Sequence, residues 1–431
     1  MAEPLDPCIT TGGGLKRLVG WSQHPGILLA MMGQTFINML GAGIVGPVLP
    51  LYAKSFGVGA TMVGLLMAIF GIARIPINVP AGSVAERVGR KPLLVIGPLV
   101  MSVAALLTGL TTTFGQLLAL RLLQGVGSAI QMTAAMVVMA DISTPQDRGR
   151  TMSLYQGSLL LGTSVGPVIG GFVGEHLGYQ APFFAYAFLT LCAAAWAFFA
   201  VEETRSMSTT TASKPVSGSG PASLPRPRFA GLKLLANKDF ALVSLVTLMV
   251  FFTRTGSQNT ILPLLGSDRL GIGPEKLGYA LTAVALLNLL TINTAGQLCD
   301  RYGRKVAIVP SCLLCGIAIA SFTFGHSYLH FLLSCALLGI GTGIGGPAPA
   351  AYVSDLDLPG GRGLTMGIYR TVGDVGISVG PVLLGWISDR FGHDGALWTN
   401  ALMFIAVSLA FGMFARETRA RQATAEPASG A

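Results

Sequence analysis

AGSVAERVGRKP, residues 81–92, combines one acidic and three basic residues with two glycines in a chain that is largely apolar. The pattern returns 214 residues later as GQLCDRYGRKV, residues 296–306. At the same offset, Gly166-Pro167 becomes Gly380-Pro381 and Glu203-Thr204-Arg205 becomes Glu417-Thr418-Arg419. A register kept without a gap over this length indicates that the chain contains two copies of one structural unit.

The composition places both copies in a membrane. Of the 431 residues, 52% are hydrophobic and 11% are charged, with a mean hydropathy of +0.64, whereas soluble domains carry about 25% charged residues. We therefore predict an all-α membrane protein, with twelve transmembrane helices in two six-helix bundles related by a parallel repeat. The predicted spans, numbered one to twelve, are 26–50, 60–81, 93–111, 115–140, 152–174, 180–201, 239–265, 277–298, 306–325, 328–353, 365–388 and 395–415.

The same pattern divides the chain into five parts. They are a tail at 1–25, an N-terminal bundle at 26–205, a linker at 206–238, a C-terminal bundle at 239–416 and a tail at 417–431. The linker is rich in Ser, Thr, Gly and Pro, which is typical of flexible segments. The first residues are polar and Gly-rich, so we expect no cleaved signal peptide.

The basic residues indicate orientation. Of 28 Lys and Arg residues, 20 fall in the tails and the even-numbered loops, and four fall in the odd-numbered loops. Loops rich in Lys and Arg remain on the cytoplasmic side of a membrane. We therefore predict a multi-pass protein of the cell membrane with both termini in the cytoplasm. The net charge of +9 reflects this asymmetry and does not indicate nucleic-acid binding.

Twelve spans in two halves, a long central loop and the repeated G-x-x-x-[DE]-R-x-G-R-K phrase resemble the major facilitator superfamily over nearly the whole chain. The resemblance implies alternating access around a site between the bundles. It also implies that the repeated phrase latches the cytoplasmic gate, although the first copy has Glu86 where the family usually has Asp. Alternatively, the phrase only sets the topology. The expected gate residues are Gly82, Glu86, Arg87, Arg90, Asp141, Glu203, Gly296, Asp300, Arg301, Arg304, Asp355 and Glu417.

Each type of gate residue has a physical role. Gly82 and Gly296 have no Cβ, which allows a neighbouring helix to approach closely. Glu86 or Asp300 can face a helix N-terminus, where negative charge is favoured by ~0.3–1 kcal/mol. The basic residues can pair with acids at the ends of neighbouring spans.

A second motif lies on span four. RLLQGVGSA, residues 121–129, is similar to the family's R-x-x-Q-G-x-G phrase, in which the arginine is implicated in proton coupling. Arg121 cannot itself lose a proton, so its role would be to tune a group that can. Alternatively, it is a structural hydrogen-bonding residue. The second copy has Cys335 at this position, so the halves are not chemically equivalent.

A third motif lies on span five. GTSVGPVIGG, residues 162–171, is similar to a phrase of the exporting, antiport branch of the family. Its glycines permit tight helix packing, and a proline inside a helix removes one hydrogen bond. These properties suit a hinge or a sealed interface, and the alternative is ordinary small-residue packing. The motif residues are Gly162, Gly166, Pro167, Gly170 and Gly171.

Ionisable residues inside spans cost ~2.5–3.5 kcal/mol at the bilayer centre and are functional candidates for that reason. Four arginines, Arg74, Arg121, Arg254 and Arg370, accompany one clearly intramembrane acid, Asp374. Arg370 and Asp374 are four residues apart and share a face of span eleven. They form a neutralising ion pair, or Asp374 loads and releases a proton. Arg121, Arg370 and Asp374 are thus the proton-coupling candidates.

Polar residues on the spans that line the family's cavity complete the predicted substrate site. Its candidates are Gln34, Asn38, Arg74, Gln131, Arg254, Gln258 and Asn259. Because arginines outnumber acids, we expect an anionic or neutral solute. No metal site is expected, since the Cys312-x-x-Cys315 pair lies on an apolar helix without a second ligand pair.

These features predict secondary active transport of a small organic molecule by a proton-coupled exporter of the drug or metabolite type. We expect a monomer that uses an ion gradient and no cofactor. Two alternatives remain open. One is a symporter or facilitator that takes up an organic anion, and the other is a non-transporting receptor on the same fold. The sequence contains no nucleotide-binding motif or catalytic triad spacing, so we do not expect an enzyme.

Overall fold

The computed structural model describes residues 22, 24–143, 147–204, 234, 236–346, 348–356 and 361–417. Within them the chain consists of helices joined by short turns. The N-terminal half contains Pro25–Val45 and the short helix Leu49–Lys54, then Ala60–Val88, Arg90–Thr108, Phe114–Asp141, Arg148–Leu177 and Ala181–Ala200. The C-terminal half contains Lys238–Phe252, a π-helical segment Thr253–Ile261 and Leu262–Leu270, then Pro274–Tyr302, Arg304–Ser321, a 3-10 turn Phe322–Phe324, Tyr328–Gly345, Ala348–Asp355 and Gly361–Phe414.

The number of spans follows from one long helix. Eleven helices of the described chain are long and apolar enough to cross a membrane. One of them, Ile368–Phe414, has 47 residues, which is roughly 70 Å and about twice the thickness of a bilayer core. Gly392 divides it, because its backbone dihedral angles (φ 75°, ψ 170°) lie outside the helical region. Glycine adopts such angles without strain. The described residues therefore contain twelve spans, and the predicted fold class is confirmed.

The domain boundaries stay predictions. Most of the predicted linker and nearly all of both tails lie outside the described residues. The two basic loops lie at one end of the bundles, which we call the basic end, and the opposite end is the far end. Gly89 and Gly303, in these loops, have φ of 114° and 104°, and each separates two successive spans.

The two halves are joined at the far end. Span two (Ala60–Val88) packs against span eleven, the part of Gly361–Phe414 before Gly392. Span five (Arg148–Leu177) packs against span eight (Pro274–Tyr302). Leu51 of the N-terminal half lies in the apolar core of the other half, and Leu264 of the C-terminal half lies in the core of the first. Lys54 forms an ion pair with Asp268 across the same junction. Apolar and charged contacts therefore close the molecule at this end.

Candidate functional site

A buried ion pair organises the basic end of the N-terminal half. Nε of Arg90 lies 3.0 Å from Oδ2 of Asp141, and the two side chains are only 6% and 10% exposed. Glu203 accepts hydrogen bonds from the backbone N–H groups of Arg90 at 2.9 Å and Lys91 at 3.1 Å. N–H groups at the start of a helix have no intrahelical partner. Glu203 therefore caps span three from the end of span six.

The C-terminal half repeats this cluster at the 214-residue offset. Nε of Arg304 lies 3.0 Å from Oδ2 of Asp355, and Glu417 accepts a hydrogen bond from the backbone N–H of Lys305 at 3.0 Å. A Cβ at Gly303 would lie 2.5 Å from the Glu417 carboxylate, so glycine leaves room for this acid. The duplication seen in the sequence thus reappears as matching geometry, and these bonds lie within each half.

Other predicted gate residues lie differently from expectation. Glu86 and Arg87 are exposed on the last turn of span two. The acid that meets a helix N-terminus is Glu203 rather than Glu86, because the turn at the basic loop directs the first N–H groups of span three toward span six. At Gly82 a Cβ would lie 3.8 Å from Thr133, an ordinary contact that requires no glycine. The surroundings of Gly296 and the side chains of Asp300 and Arg301 lie outside the part of the chain that the structure describes.

The glycine motif of span five packs against two helices. Gly162, Gly166 and Gly170 face span one so closely that a Cβ at any of them would come within 2.7 Å of its backbone. Gly171 faces span eight of the other half, where a Cβ would overlap a backbone carbonyl, and the carbonyl group of Pro167 also meets span eight. The motif therefore lies at a junction of both halves.

Three charged side chains meet where span two faces span eleven. Arg74 comes from the N-terminal half, and Arg370 and Asp374 come from the C-terminal half. Asp374 lies within electrostatic range of both Arg74 and Arg370. Among the described residues neither arginine forms an ion pair with Asp374. The i, i+4 spacing thus brings Arg370 and Asp374 to one face without a direct bond.

Span seven changes its helical register at midplane. Residues Thr253–Ile261 are π-helical, and such segments are frequent at functional sites. Arg254, Gln258 and Asn259 lie on this segment, and Arg254 is the central residue of the 33-residue span Lys238–Leu270. Arg254 is exposed, and its segment contacts span two of the other half. A side chain at this junction can line a cavity between the halves.

The remaining predicted cavity residues lie inside the N-terminal bundle. Gln34 and Asn38 are fully buried, and Gln131 is 3% exposed. Nε2 of Gln34 donates to the carbonyl of Leu94 on span three at 2.8 Å. Oε1 of Gln34 and both amide atoms of Asn38 have no hydrogen-bond partner among the described residues. In this conformation the three amides are shielded from the gap between the halves.

Arg121 is separate from the other proton-coupling candidates. Its Nη1 donates to Oε1 of Gln124 at 2.9 Å. Its guanidinium carbon lies 4.5 Å from the centre of the Phe70 ring, and that of Arg74 lies 6.0 Å from the same ring. The structure therefore places Arg74, and not Arg121, near Asp374, and both arginines lie near the Phe70 ring.

Sequence reasoning missed two residues. Asn400 on span twelve accepts a hydrogen bond from Oγ1 of Thr253 at 3.0 Å and donates one to Oγ of Ser257 at 2.6 Å. A single amide in an apolar span was a usable signal for it. Asp389, at the far end of span eleven, bonds to the other half. Its position next to a predicted loop gave no such signal.

Two bundles of six helices, packed face to face with charged residues between them, form the architecture of a known class of membrane transporters. The sequence model described as Major Facilitator Superfamily matches residues 31–291 and 243–430. The chain belongs to this superfamily, as its repeated motifs predict, and it is a multi-pass transporter and not an enzyme.

Relatives and solved structures agree with this assignment. The chain is 25% identical to "Multidrug resistance protein 2" of Bacillus subtilis over 89% of its own length and 94% of that protein. It is 24% identical to "Quinolone resistance protein NorA" of Staphylococcus aureus over 82% and 88%. A bacterial homologue of the human lysosomal transporter Spinster shares the fold, with a TM-score of 0.69, 16% identity, and coverage of 90% of this chain and 95% of that one.

Proposed function

We propose that this chain is a proton-coupled exporter of a small organic molecule. The observation that carries the proposal is the position of Asp374, an acid within the membrane that faces Arg74 of the other half. When Asp374 is ionised it attracts Arg74, and this attraction is lost when the carboxylate is protonated. Loading a proton therefore changes the free energy of the contact between spans two and eleven. That contact must open and close during alternating access.

The direction of transport rests on two observations. The motif at Gly162–Gly171 is similar to a phrase of the antiport branch, and it lies where span five meets both span one and span eight. Relatives that align over most of their length are named for resistance to drugs and to quinolones. Both observations support export of an organic solute in exchange for protons.

The proposed orientation places the basic end in the cytoplasm, with both termini, in the cell membrane. The contacts at the far end then close the outer side, and the structure corresponds to an inward-facing form. We propose that the transporter works as a monomer and takes its energy from the proton gradient. The Arg90–Asp141 and Arg304–Asp355 ion pairs stabilise the basic end of each half while the halves move.

The proposed solute is anionic or neutral. Arg74 and Arg370 lie where span two faces span eleven, and Arg254 lies on the segment of span seven that span two contacts. The sequence places one clearly intramembrane acid, Asp374, against these three arginines. A cationic solute would add to an excess of positive charge in a site of low dielectric constant, which is unfavourable.

A second candidate function is uptake of an organic anion together with a proton. The observation that favours it is that Asp374 lies within electrostatic range of both Arg74 and Arg370. A solute carboxylate that paired with Arg74 would weaken the electrostatic attraction between this arginine and Asp374. Solute binding would then favour protonation, so the two would be carried in the same direction.

Everted membrane vesicles with an acidified interior distinguish these functions. We expect norfloxacin, a quinolone that carries a carboxylate, to accumulate in vesicles that contain the protein, and to leave them when an uncoupler is added. Asp374→Asn should abolish accumulation, whereas Asp374→Glu, which keeps a titratable group, should retain part of it. Vesicles without the protein correct for passive partition. Net depletion of norfloxacin from the acidified vesicles would favour uptake by symport. No gradient-dependent movement in either direction would contradict both functions.

A further inference from the structure

We propose that the π-helical segment of span seven binds the anionic group of the transported solute, a carboxylate or a sulfonate. Arg254 supplies the charged contact, and the amides of Gln258 and Asn259 supply hydrogen bonds. The inference rests on the proposed function. It identifies Arg254 as the arginine that binds the anionic group of the solute.

The π register places these three side chains together. The backbone N–H of Leu262 bonds to the carbonyl of Ser257, five residues earlier, and Oγ1 of Thr260 donates to the carbonyl of Thr255 at 2.7 Å. A helix with i→i+5 bonds has more than four residues per turn. Residues i+4 and i+5 therefore flank residue i on one face, and these are the positions of Gln258 and Asn259 relative to Arg254. In a regular α-helix, Asn259 would turn away from that face.

The other faces of the segment are occupied. Thr253 and Ser257 bond to Asn400 on span twelve. Gly256 packs against the backbone of span eleven, where a Cβ would lie 2.8 Å from it. Span two of the other half also contacts the segment. Arg254 takes part in none of the hydrogen bonds and packing contacts named for Thr253, Ser257 and Gly256, and it is exposed. We therefore assign its face to the gap between the halves, where a solute can reach it.

Arg254 lacks a compensating acid. Among the described residues Arg254 forms no ion pair with a carboxylate. An unpaired cation at midplane is costly, and an anion in the cavity would offset this cost. The planar guanidinium suits a carboxylate or sulfonate because it can donate two parallel hydrogen bonds.

The anion subsite is separate from the proton site. Arg74 and Arg370 act on Asp374, and Arg254 is not among the groups that do so. The charge of the solute and the proton therefore need not compete for one side chain. Exchange between them then depends on the movement of the halves, and a solute held at Arg254 leaves Asp374 free to lose its proton. An anion held at Arg74 would instead favour symport.

Asn400 acts as a positioning residue for this subsite. It bridges Thr253 and Ser257 and is itself fully buried. Removal of the bridge should allow the segment to relax toward the α register and separate the polar groups. We therefore expect Asn400→Ala to lower the preference for anions over neutral analogues. Thr399→Ala, next in sequence, is the control, because Oγ1 of Thr399 bonds only within its own helix, to Gly395.

The test is binding of nalidixate, a quinolone-type carboxylate, and of its neutral ethyl ester, to the purified full-length protein by isothermal titration calorimetry. We expect Arg254→Gln to weaken nalidixate binding by at least about tenfold and Arg74→Gln to weaken it by less than about threefold. The ester should bind both variants and the wild type equally. A loss caused by Arg74→Gln alone, equal affinity of acid and ester for the wild type, or no binding of nalidixate would each overturn the inference.

Failure of the inference and failure of the proposed function can be told apart. If norfloxacin moves with the proton gradient but Arg254→Gln leaves nalidixate binding unchanged, the transport function stands and the subsite is wrong. If nalidixate binding depends on Arg254 while no solute crosses the vesicle membrane, the subsite stands and the transport proposal is wrong. Circular dichroism and thermal unfolding of each variant identify any variant that is misfolded. If Arg254→Gln is misfolded, Arg254→Lys replaces it. This variant keeps the charge but loses the bidentate geometry, so its loss of nalidixate affinity should be intermediate.

Discussion

The carboxylate of Asp389 accepts a hydrogen bond from the backbone N–H of Ala60 at 2.7 Å, although the two residues belong to different halves. The same carboxylate accepts bonds from the backbone N–H and the hydroxyl of Thr61. These N–H groups belong to the first turn of span two and have no partner within the helix. An acid from one half therefore caps a helix of the other, and this bond must break whenever the far end opens.

Removal of this cap should favour the form that is open at the far end. A helix cap contributes about 0.5–2 kcal/mol, so we expect Asp389→Ala to lower the ratio of closed to open molecules by roughly tenfold. Spin labels at Gln180 and His326, on far-end loops of different halves, would report the change as a longer distance by electron paramagnetic resonance. An unchanged distance distribution in Asp389→Ala would show that the cap does not hold the far end closed.

The second glycine of the Gly-Gly pair should be essential for the same closure. A Cβ at Gly171 would overlap the backbone of span eight, and forced overpacking costs about 1–3 kcal/mol or more. We expect Gly171→Val to reach the membrane but to lose transport of norfloxacin and to stay open at the far end. Gly157→Val on the same span is the matched control, because no other residue lies within 4 Å of a Cβ there. Equal transport by both variants would refute a sealing role for Gly171.

Glu203 should stabilise the basic end more than its neighbours do. The side chains of Glu203, Glu202 and Glu86 are all exposed, but Glu203 accepts two backbone hydrogen bonds at the start of span three. We expect Glu203→Ala to lower the free energy of unfolding by about 1–2 kcal/mol, measured as a lower thermal midpoint in detergent. Glu202→Ala and Glu86→Ala should change it little. If Glu86→Ala had the larger effect, the assignment of the cap to Glu203 would fail.

Much of the fold was predictable from the sequence, because apolar runs and a gapless repeat depend on composition and spacing alone. The repeat also indicated which acids lie near Arg90 and Arg304. The helix cap was not predictable, since the direction of the N–H groups of span three depends on the turn at Gly89. The candidate site was predictable only in part. Which way Gln34 and Asn38 point depends on helix rotation, and the face shared by Arg254, Gln258 and Asn259 depends on a π register that no sequence period indicates.

The central claim is that proton and solute are exchanged through Asp374, and proton release on binding tests it most directly. Purified protein in weakly buffered detergent would be titrated with norfloxacin while the pH is recorded. Because the solute subsite is separate from Asp374, exchange requires that solute and proton favour different arrangements of the two halves. Solute binding should therefore favour the deprotonated form of Asp374, and the wild type should release up to about one proton per bound molecule. Asp374→Asn should release none beyond the change due to norfloxacin itself. Proton uptake by the wild type, or release that persists in Asp374→Asn, would contradict the account.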